Sequence, residues 1–230
     1  MNPDVVLVAG GTCAGKTAIV KELLSDQVKQ VVTTTTRAQR PGEADGAYNF
    51  RMTSDFNQAL KSGEMIEYDV VNGNLYGLEV SSLNKAVKEA RERGGTAIAI
   101  LTPPGLFAAK EYLESQNVNV KTVGIFTPED EAICRLVSRY TTGARELKAN
   151  NAPHEDFVQL SDSITERLKS VMGYEKEWAT LKYDDTIIND GRLTLTQAAQ
   201  IVESKVFTPK EASSPQRAAI EQASISPSSF

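Results

Sequence analysis

The chain has little cysteine, histidine and tryptophan, and it lacks a long apolar run. Among its 230 residues are two cysteines, one histidine and one tryptophan. Two cysteines, Cys13 and Cys134, argue against a disulfide framework, so we expect a reducing, cytoplasmic environment. No apolar run has membrane-spanning length and no signal-peptide pattern opens the chain, so we expect no membrane partner. A net charge of −5 argues against non-specific binding of nucleic acid.

The segment 10–17 carries the most specific short motif. It follows a predicted strand at 5–9 and precedes a predicted helix at 18–24, with the spacing G-x-x-x-x-G-K-T of a phosphate-binding P-loop. Backbone N–H groups around its glycines can surround phosphate oxygens, helped by the helix dipole. Lys16 can reach the β- and γ-phosphates, and the Thr17 hydroxyl can bind Mg²⁺. We therefore predict a nucleoside triphosphate site at Gly10, Gly11, Thr12, Cys13, Ala14, Gly15, Lys16 and Thr17.

Strand-like and helix-like segments alternate along the chain, which predicts an α/β fold with a parallel sheet flanked by helices. Between Arg37 and Leu83 the pattern changes to that of a small α+β insertion, with an Asn72-Gly73 hairpin turn. We expect Ser81 to cap a helix that runs to Arg93. Further strands are predicted at 31–35, 48–51, 96–101, 120–126 and 186–189, and further helices at 55–61 and 193–206.

Two polar segments have no clear periodicity. Residues 141–159 contain the single histidine, His154, and we interpret them as a mobile loop between two helices. In this interpretation His154 is a solvated loop residue rather than a catalyst. Residues 208–230 are rich in Ser, Pro and Ala, which predicts a disordered tail.

Residues 33–50 narrow the function. They read T-T-T-T-R-A-Q-R-P-G-E-A-D-G-A-Y-N-F, which resembles the T-T-R-x-x-R-x-G-E-x-x-G-x-x-Y-x-F pattern of the guanylate kinase family. The resemblance continues at 63–68, 73–77 and 187–190, and it spans about residues 4–207. It implies a P-loop kinase core at 1–36 and 81–207, a nucleoside-monophosphate-binding subdomain at 37–80 and a mobile lid at 135–167. It also implies ATP, Mg²⁺ and a nucleoside monophosphate as ligands, and a monomer or homodimer.

Two arginines and two tyrosines are candidates for binding the acceptor phosphate. Arg37 and Arg40 lie three residues apart, so two guanidinium forks can converge on one phosphate. Tyr48 and Tyr76 can add phenolic donors. The resemblance implies that these positions hold the α-phosphate of a nucleoside monophosphate. For the arginines taken alone, surface salt bridges are the alternative.

The resemblance also implies residues that recognise the bases. Glu67 matches the family's base-reading glutamate, whose carboxylate can accept from guanine N1–H and the 2-amino group. An exposed strand residue is the alternative for Glu67. Thr33 stands where the family usually has a serine near the base. Asn189 and Asp190 resemble the family's contact to the adenine of ATP.

The implied catalytic groups neutralise phosphate charge, because phosphoryl transfer needs alignment and charge stabilisation rather than covalent chemistry. The resemblance implies that three arginines of the lid, Arg135, Arg139 and Arg167, close over the transferring phosphoryl group. Solvated surface charges are the alternative for each of them. The candidate catalytic residues are Lys16, Arg37, Arg135, Arg139 and Arg167.

Three departures from the family pattern concern the acceptor site. Ile100 and Thr102 stand where the family has acidic residues, which removes a carboxylate expected near Mg²⁺ and the acceptor. Leu78 stands where a Ser or Thr hydroxyl reads guanine O6 in the family. Asp69 lies two residues from Glu67, so a strand would place both carboxylates on one face. Asp69 is either a second group in the base pocket or a solvated hairpin residue.

Three functions remain open from the sequence. The first is ATP-dependent phosphorylation of GMP or dGMP, and the second is the same reaction on a different or modified base. Examples of such an acceptor are the deoxynucleotides of 2,6-diaminopurine, of adenine or of a pyrimidine. The third is a non-catalytic guanylate-kinase-like binding module, which the intact Gly15-Lys16-Thr17 opposes. A GTPase is weaker still, because no guanine-selective N-K-x-D element is found.

Overall fold

The computed structural model describes residues 2–39, 43–71, 73–173, 178 and 180–207. Its strands are β1 (Val5–Gly10), β2 (Val28–Gln30), β3 (Thr34–Thr35), β4 (Asn49–Phe50), β5 (Met65–Val71), β6 (Asn74–Glu79), β7 (Thr96–Ile100), β8 (Val120–Phe126) and β9 (Asp185–Ile188). Its helices are α1 (Lys16–Leu23), α2 (Thr53–Lys61), α3 (Val80–Arg93), α4 (Pro103–Ser115), α5 (Glu129–Ala149), α6 (His154–Gly173) and α7 (Leu195–Val206).

A five-stranded parallel sheet forms the larger part of the molecule, with the strand order β2-β7-β1-β8-β9. The central strand, β1, is buried at every residue because helices cover both faces of the sheet. Alternate side chains serve the two layers. Leu7 packs in an apolar cluster with Leu83 of α3 and Leu106 of α4, whereas Val8 packs with residues of α1 and α7. The predicted α/β class is confirmed.

A second, four-stranded sheet contains the insertion, in the order β4-β3-β6-β5. β5 and β6 pair antiparallel, as the Asn72-Gly73 turn predicts, although Asn72 lies outside the described residues. α2 packs beneath this sheet through Phe56, which is fully buried against Gly77. The opposite face carries Glu67 and Asp69 of β5 together with their register partners on β6, Leu78 and Tyr76.

Two predicted boundaries are wrong. The β-branched run at 31–35 does not form one strand, because Val31, Val32 and Thr33 separate β2 in the large sheet from β3 in the small one. α3 begins at Val80 with Glu79 as its N-cap, so Ser81 lies inside the helix rather than at its cap. The end of α3 is confirmed, since Gly94 adopts φ 63° as its C-cap.

The interpretation of 141–159 as a loop is wrong. α5 continues unbroken to Ala149, and α6 begins at His154, so the two helices form a hairpin with a short connection. His154 is an exposed residue in the first turn of α6. Gly143 faces the second helix, and a Cβ there would lie 3.3 Å from a methyl group at the flexible end of Leu160. The predicted tail at 208–230 lies outside the described residues.

Across the described part of the chain, no helix is both long enough and apolar enough to span a membrane.

Candidate active site

The phosphate-binding loop joins the carboxyl end of β1 to the first turn of α1. Gly10 is required where the loop leaves the sheet, because a Cβ there would lie 1.7 Å from the carbonyl oxygen of Ile125. Cys13 at φ 62° and Gly15 at φ 89° reverse the backbone and lead into α1. The predicted triphosphate residues thus form one compact turn at a helix N-terminus, which is an arrangement suited to anions.

The Lys16 ammonium group arches back across the loop that precedes it. Its Nζ donates to the carbonyl oxygens of Gly10 at 2.9 Å and of Gly11 at 2.7 Å. Thr17 follows on α1 with an exposed side chain. These two carbonyl oxygens therefore hold the ammonium group against the backbone of the loop.

The loop is also held from outside by β9 and α5. The Asn189 side chain donates through Nδ2 to the carbonyl oxygen of Ala14 at 2.9 Å. Arg135 donates through Nη1 to the carbonyl oxygen of Cys13 at 2.9 Å and through Nε to Glu131 at 2.6 Å. Its Nη2 reaches the carbonyl oxygen of Asn189 at 3.3 Å. Two residues predicted to contact nucleotide therefore contact the loop backbone.

Arg37 is the centre of a second cluster, on the small sheet. Its guanidinium group forms a two-pronged ion pair with Glu43, at 2.8 and 3.1 Å, and donates through Nε to the Tyr76 hydroxyl at 3.2 Å. It also lies 5.4 Å from the ring centroid of Tyr48. The hydrogen bonds that Arg37 donates to Glu43, above all, raise the pKa of Arg37. Three predicted phosphate ligands thus meet, while Arg40 lies outside the described residues.

Glu67 lies where the small sheet meets the large domain. Its carboxylate packs directly against Gly105 in the first turn of α4, where a Cβ would lie 2.4 Å from Oε2. Burial, and secondarily the charge of Asp69, raises the pKa of Glu67 to about 7. Thr102 caps the same helix, its hydroxyl accepting from the Gly105 amide at 3.4 Å. Glu67 and Thr102 therefore occupy the same corner of the site.

The remaining acceptor-side residues differ in exposure. Leu78 is fully buried in the apolar cluster that contains Leu83 and Leu106, so its side chain belongs to the core. Asp69 is half-buried, and its carboxylate accepts from the adjacent Val70 amide at 2.7 Å. Thr33 is half-buried beside β4, its carbonyl accepting from the Asn49 amide at 2.8 Å.

The lid arginines occupy three different environments. Arg135 is engaged with the loop, as described above, while Arg139 lies exposed one turn further along α5. Arg167 is half-buried on α6, one turn before Val171, a residue that packs with Cys13 and Leu136. On the ATP side, Asp190 forms an ion pair with Arg192 at 2.7 Å. Within the described ranges, no group of three or more His, Cys, Asp or Glu residues is arranged to hold a metal ion.

Sequence reasoning missed three residues that shape these contacts. Glu43 holds Arg37, and its place in the R-x-x-R-x-G-E pattern was the available signal. Glu131 holds Arg135 at the i,i+4 spacing that favours ion pairs on a helix. Gly105 makes room for the Glu67 carboxylate, and no local pattern signals a contact between residues so far apart in sequence.

A P-loop on a parallel sheet, joined to a small sheet bearing arginine, tyrosine and carboxylate side chains, defines a P-loop phosphotransferase of the nucleotide kinase class. The sequence profile of the guanylate kinase family matches residues 2–158 of this chain. The chain therefore belongs to the guanylate kinase family.

Individual relatives agree with this assignment. The guanylate kinase of Sulfurimonas denitrificans is 26% identical over 206 residues, which cover 81% of this chain and 93% of the relative. The guanylate kinase of Streptococcus thermophilus is 28% identical over 185 residues, covering 74% and 86% respectively. The crystal structure of guanylate kinase from Anaplasma phagocytophilum superposes with a TM-score of 0.54 at 20% identity, over 91% of this chain and 89% of that one. The structural likeness bears on the fold.

Proposed function

We propose that the protein transfers the γ-phosphoryl group of ATP·Mg²⁺ to GMP or dGMP, giving ADP and the nucleoside diphosphate. The observation that carries the proposal is the pairing of an intact P-loop with the Arg37, Tyr48 and Tyr76 cluster on the small sheet. One site suits a triphosphate donor and the other a phosphate acceptor. The curated relatives cited above are named guanylate kinases, so they favour this function over the two alternatives.

The acceptor phosphate binds at the Arg37 cluster in this proposal, with Arg40 as a second arginine. Glu43 satisfies part of the Arg37 guanidinium and fixes its plane, so the group is oriented before the ligand arrives. The Tyr76 hydroxyl already accepts from Arg37 and can donate its own proton to a phosphate oxygen. This preorganisation lowers the entropic cost of binding.

The base lies against Glu67, whose carboxylate accepts from the N1–H and 2-amino groups of guanine. Thr102 supplies a hydroxyl group at this corner. In the proposal Thr33 adds a second hydroxyl group, and Asp69 adds a second carboxylate. Leu78 offers the base an apolar surface rather than a hydroxyl. We propose the same division of labour as the sequence suggests, with residues 37–80 binding the monophosphate, 135–167 acting as a lid and the remainder binding ATP.

The transfer itself is a displacement at phosphorus. A terminal oxygen of the acceptor phosphate forms a bond to the γ-phosphorus while the bond to the β,γ-bridging oxygen breaks, and ADP leaves. Lys16 neutralises charge on the β- and γ-phosphates, and the Thr17 hydroxyl is a ligand of the substrate's Mg²⁺. Arg139 and Arg167 stabilise the charge on the phosphoryl group in flight. The cytoplasm, where ATP and reduced thiols coexist, is the compartment that fits this reaction and the free cysteines.

A coupled assay for ADP release, with ATP·Mg²⁺ and a panel of ribo- and deoxynucleoside monophosphates, tests the proposal. We expect the fastest turnover with GMP or dGMP. Fastest turnover with another base would instead support the alternative acceptor, with Asp69 and Thr102 as its determinants. No turnover with any monophosphate would refute the proposed kinase activity.

The Lys16→Ala variant tests the role of the loop in the same assay. We expect turnover to fall at least about a hundredfold with an unchanged melting temperature, because the lost ammonium group acts on transferring charge. Lys21→Ala is the matched control, since Lys21 is an exposed lysine on the same helix. Normal turnover by Lys16→Ala would contradict the placement of the donor phosphates in this loop.

A further inference from the structure

The guanidinium group of Arg135 donates hydrogen bonds to other groups of the protein. Nε donates to Glu131, Nη1 to the carbonyl oxygen of Cys13, and Nη2 lies 3.3 Å from the carbonyl oxygen and 3.4 Å from the side-chain oxygen of Asn189. Glu131 in turn packs against Gly191, where a Cβ would lie 2.8 Å from its Oε1. Arg135 therefore ties three segments together: the loop, the first turns of α5 and the turn after β9.

Asn189 completes the arrangement from the other side. It is buried, and its own amide donates to the carbonyl oxygen of Phe126 at 2.7 Å, which fixes it to the end of the large sheet. Its side-chain Nδ2 holds the carbonyl oxygen of Ala14 at 2.9 Å. Gly15 permits this approach, because a Cβ at Gly15 would lie 2.8 Å from the same nitrogen.

These two contacts set the direction of two peptide groups in the loop. In a planar trans peptide the carbonyl and the N–H of the next residue point in opposite directions. Holding the Ala14 carbonyl outward therefore turns the Gly15 N–H toward the inside of the loop. Holding the Cys13 carbonyl outward likewise sets the direction of the Ala14 N–H, which donates to the carbonyl oxygen of Gly11 at 3.3 Å and so closes the turn of the loop. Inward N–H groups are the ligands that a phosphate needs.

The charge of Arg135 adds an electrostatic effect to this geometry. A cation that binds a carbonyl oxygen polarises the whole peptide group and makes the N–H at its other end a stronger donor. The Asn189 side chain is itself polarised by Arg135 through its own oxygen, and it passes this polarisation to the Ala14 peptide. The Gly15 N–H is thus oriented and strengthened as a donor to phosphate, and the Ala14 N–H is strengthened as a donor to the Gly11 carbonyl.

We infer that Arg135 and Asn189 are positioning residues that hold the loop in its phosphate-binding conformation through the carbonyl groups of Cys13 and Ala14. This differs from the roles that the family resemblance implies, in which Arg135 contacts the transferring phosphoryl group and Asn189 contacts adenine. It rests on the proposed function only in that the loop binds the triphosphate of the donor. Both residues act on any polyphosphate, whatever base it carries.

Binding of inorganic tripolyphosphate separates the two roles of Asn189, because this ligand has phosphates and no adenine, and it shows whether Arg135 acts on the same ligand by the same factor. Calorimetric affinities of Asn189→Leu and Arg135→Met are compared with wild type for Mg²⁺-tripolyphosphate, Mg²⁺-ATP and GMP. We expect the affinity of each variant to fall about tenfold, and by the same factor for both polyphosphates. This is the effect of losing one oriented hydrogen bond. Affinity for GMP should stay within about twofold.

Arg91→Met is the matched control. Arg91 lies in the last turn of α3. Like Arg135, it donates to a carboxylate, that of Asp4, and to a backbone carbonyl oxygen, that of Asn117. Its replacement removes comparable contacts and should leave tripolyphosphate affinity unchanged. If Arg135→Met does not fold, Arg135→Lys, which keeps the charge and loses the planar fork, takes its place and should lose part of the affinity for both polyphosphates.

Three results would overturn the inference. Loss of ATP affinity with normal tripolyphosphate affinity would assign Asn189 to adenine, as the resemblance implies. Unchanged affinity for both ligands would show that the loop holds its shape unaided. Failure of the wild-type protein to bind either polyphosphate would refute the proposed function as well, and this outcome is distinguished by measuring wild type first.

Discussion

Glu67 shows how one side chain is shaped by two parts of the molecule. It originates on β5 of the small sheet, yet its carboxylate is desolvated by Gly105 and the first turn of α4. Burial disfavours the charged form, so the pKa rises to about 7 from the value of 4.5 expected in water. The carboxyl group therefore takes up a proton near neutral pH.

This pKa predicts a pH dependence of GMP binding. Only the ionised carboxylate accepts from both guanine donors, so affinity should rise with pH and be about tenfold weaker at pH 6 than at pH 8 for a pKa of about 7. Calorimetric titration of wild type and Glu67→Gln at both values measures this. The GMP phosphate also titrates, with a pKa of about 6, but it contributes equally to the pH dependence of binding in both proteins. Equal pH dependence in the two proteins would remove Glu67 from the base site.

The same carboxyl group affects stability with a defined sign. Its folded-state pKa lies above the unfolded value, so the folded state binds the proton more tightly. The contribution of protonated Glu67 to the free energy of unfolding is fully present below about pH 4.5, and it is lost as the pH rises through about 7. The conditions that favour folding and those that favour base binding by this residue are therefore opposed.

At the residue scale, the sequence predicted identities better than contacts. The P-loop residues and Arg37 could be singled out as candidates because their types and spacing suit phosphate chemistry. The partners of Arg135 could not, since the carbonyl oxygens of Cys13 and Asn189 carry no sequence signal. Leu78 was singled out as a departure from the family pattern, but its complete burial depends on helices α3 and α4 and could not be predicted.

At the scale of elements, the hairpin of α5 and α6 is the main difference from the sequence expectation. Thr141, Thr142 and Gly143 are weak helix formers, which is why this region resembles a loop in the sequence. The packing of α6 against α5 supplies the missing stabilisation, and Gly143 faces Leu160 of α6 in this contact. Tertiary contact overrides local propensity here, as it does for β3, which pairs with β6 in a different sheet from β2.

The Gly143→Ala variant tests whether this segment is helical. Alanine favours a helix over glycine by about 1 kcal/mol, and the added methyl group would meet only the flexible end of Leu160. We expect slower hydrogen exchange at amides 141–149, as measured by mass spectrometry. Ala144→Gly, at the next position of α5, should accelerate exchange by a similar factor. Exchange in the wild type at the rate of an unstructured peptide would contradict the helix.

At the scale of the whole molecule, the alternation of strands and helices was sufficient to predict the parallel sheet and the insertion. The strand order was not predictable, because it depends on which strands pair across long sequence separations. The position of the small sheet against the core also escaped prediction. It depends on buried contacts such as that between Leu78 and the Leu83 and Leu106 cluster.

The Leu78→Ser variant measures how far this contact supports the whole fold. Removing a large buried side chain costs about 2–5 kcal/mol, and the buried hydroxyl adds a desolvation cost. We expect a clear fall in the free energy of unfolding measured with urea. Leu24→Ser is the control, because Leu24 is 38% exposed and its replacement should have a small effect. Equal stability of Leu78→Ser and wild type would show that the small sheet folds independently of the core.

The burial of Leu78 also bears on how this protein can evolve. Substitutions of Leu78 that alter the choice of acceptor base also reduce the population of folded protein. Their first effect on the organism is therefore a lower abundance of the protein. Asp69, half-buried on the same face, can change with little effect on folding. Adaptation to new nucleotides would therefore begin at the hairpin, and a change at Leu78 would need a stabilising mutation to precede it.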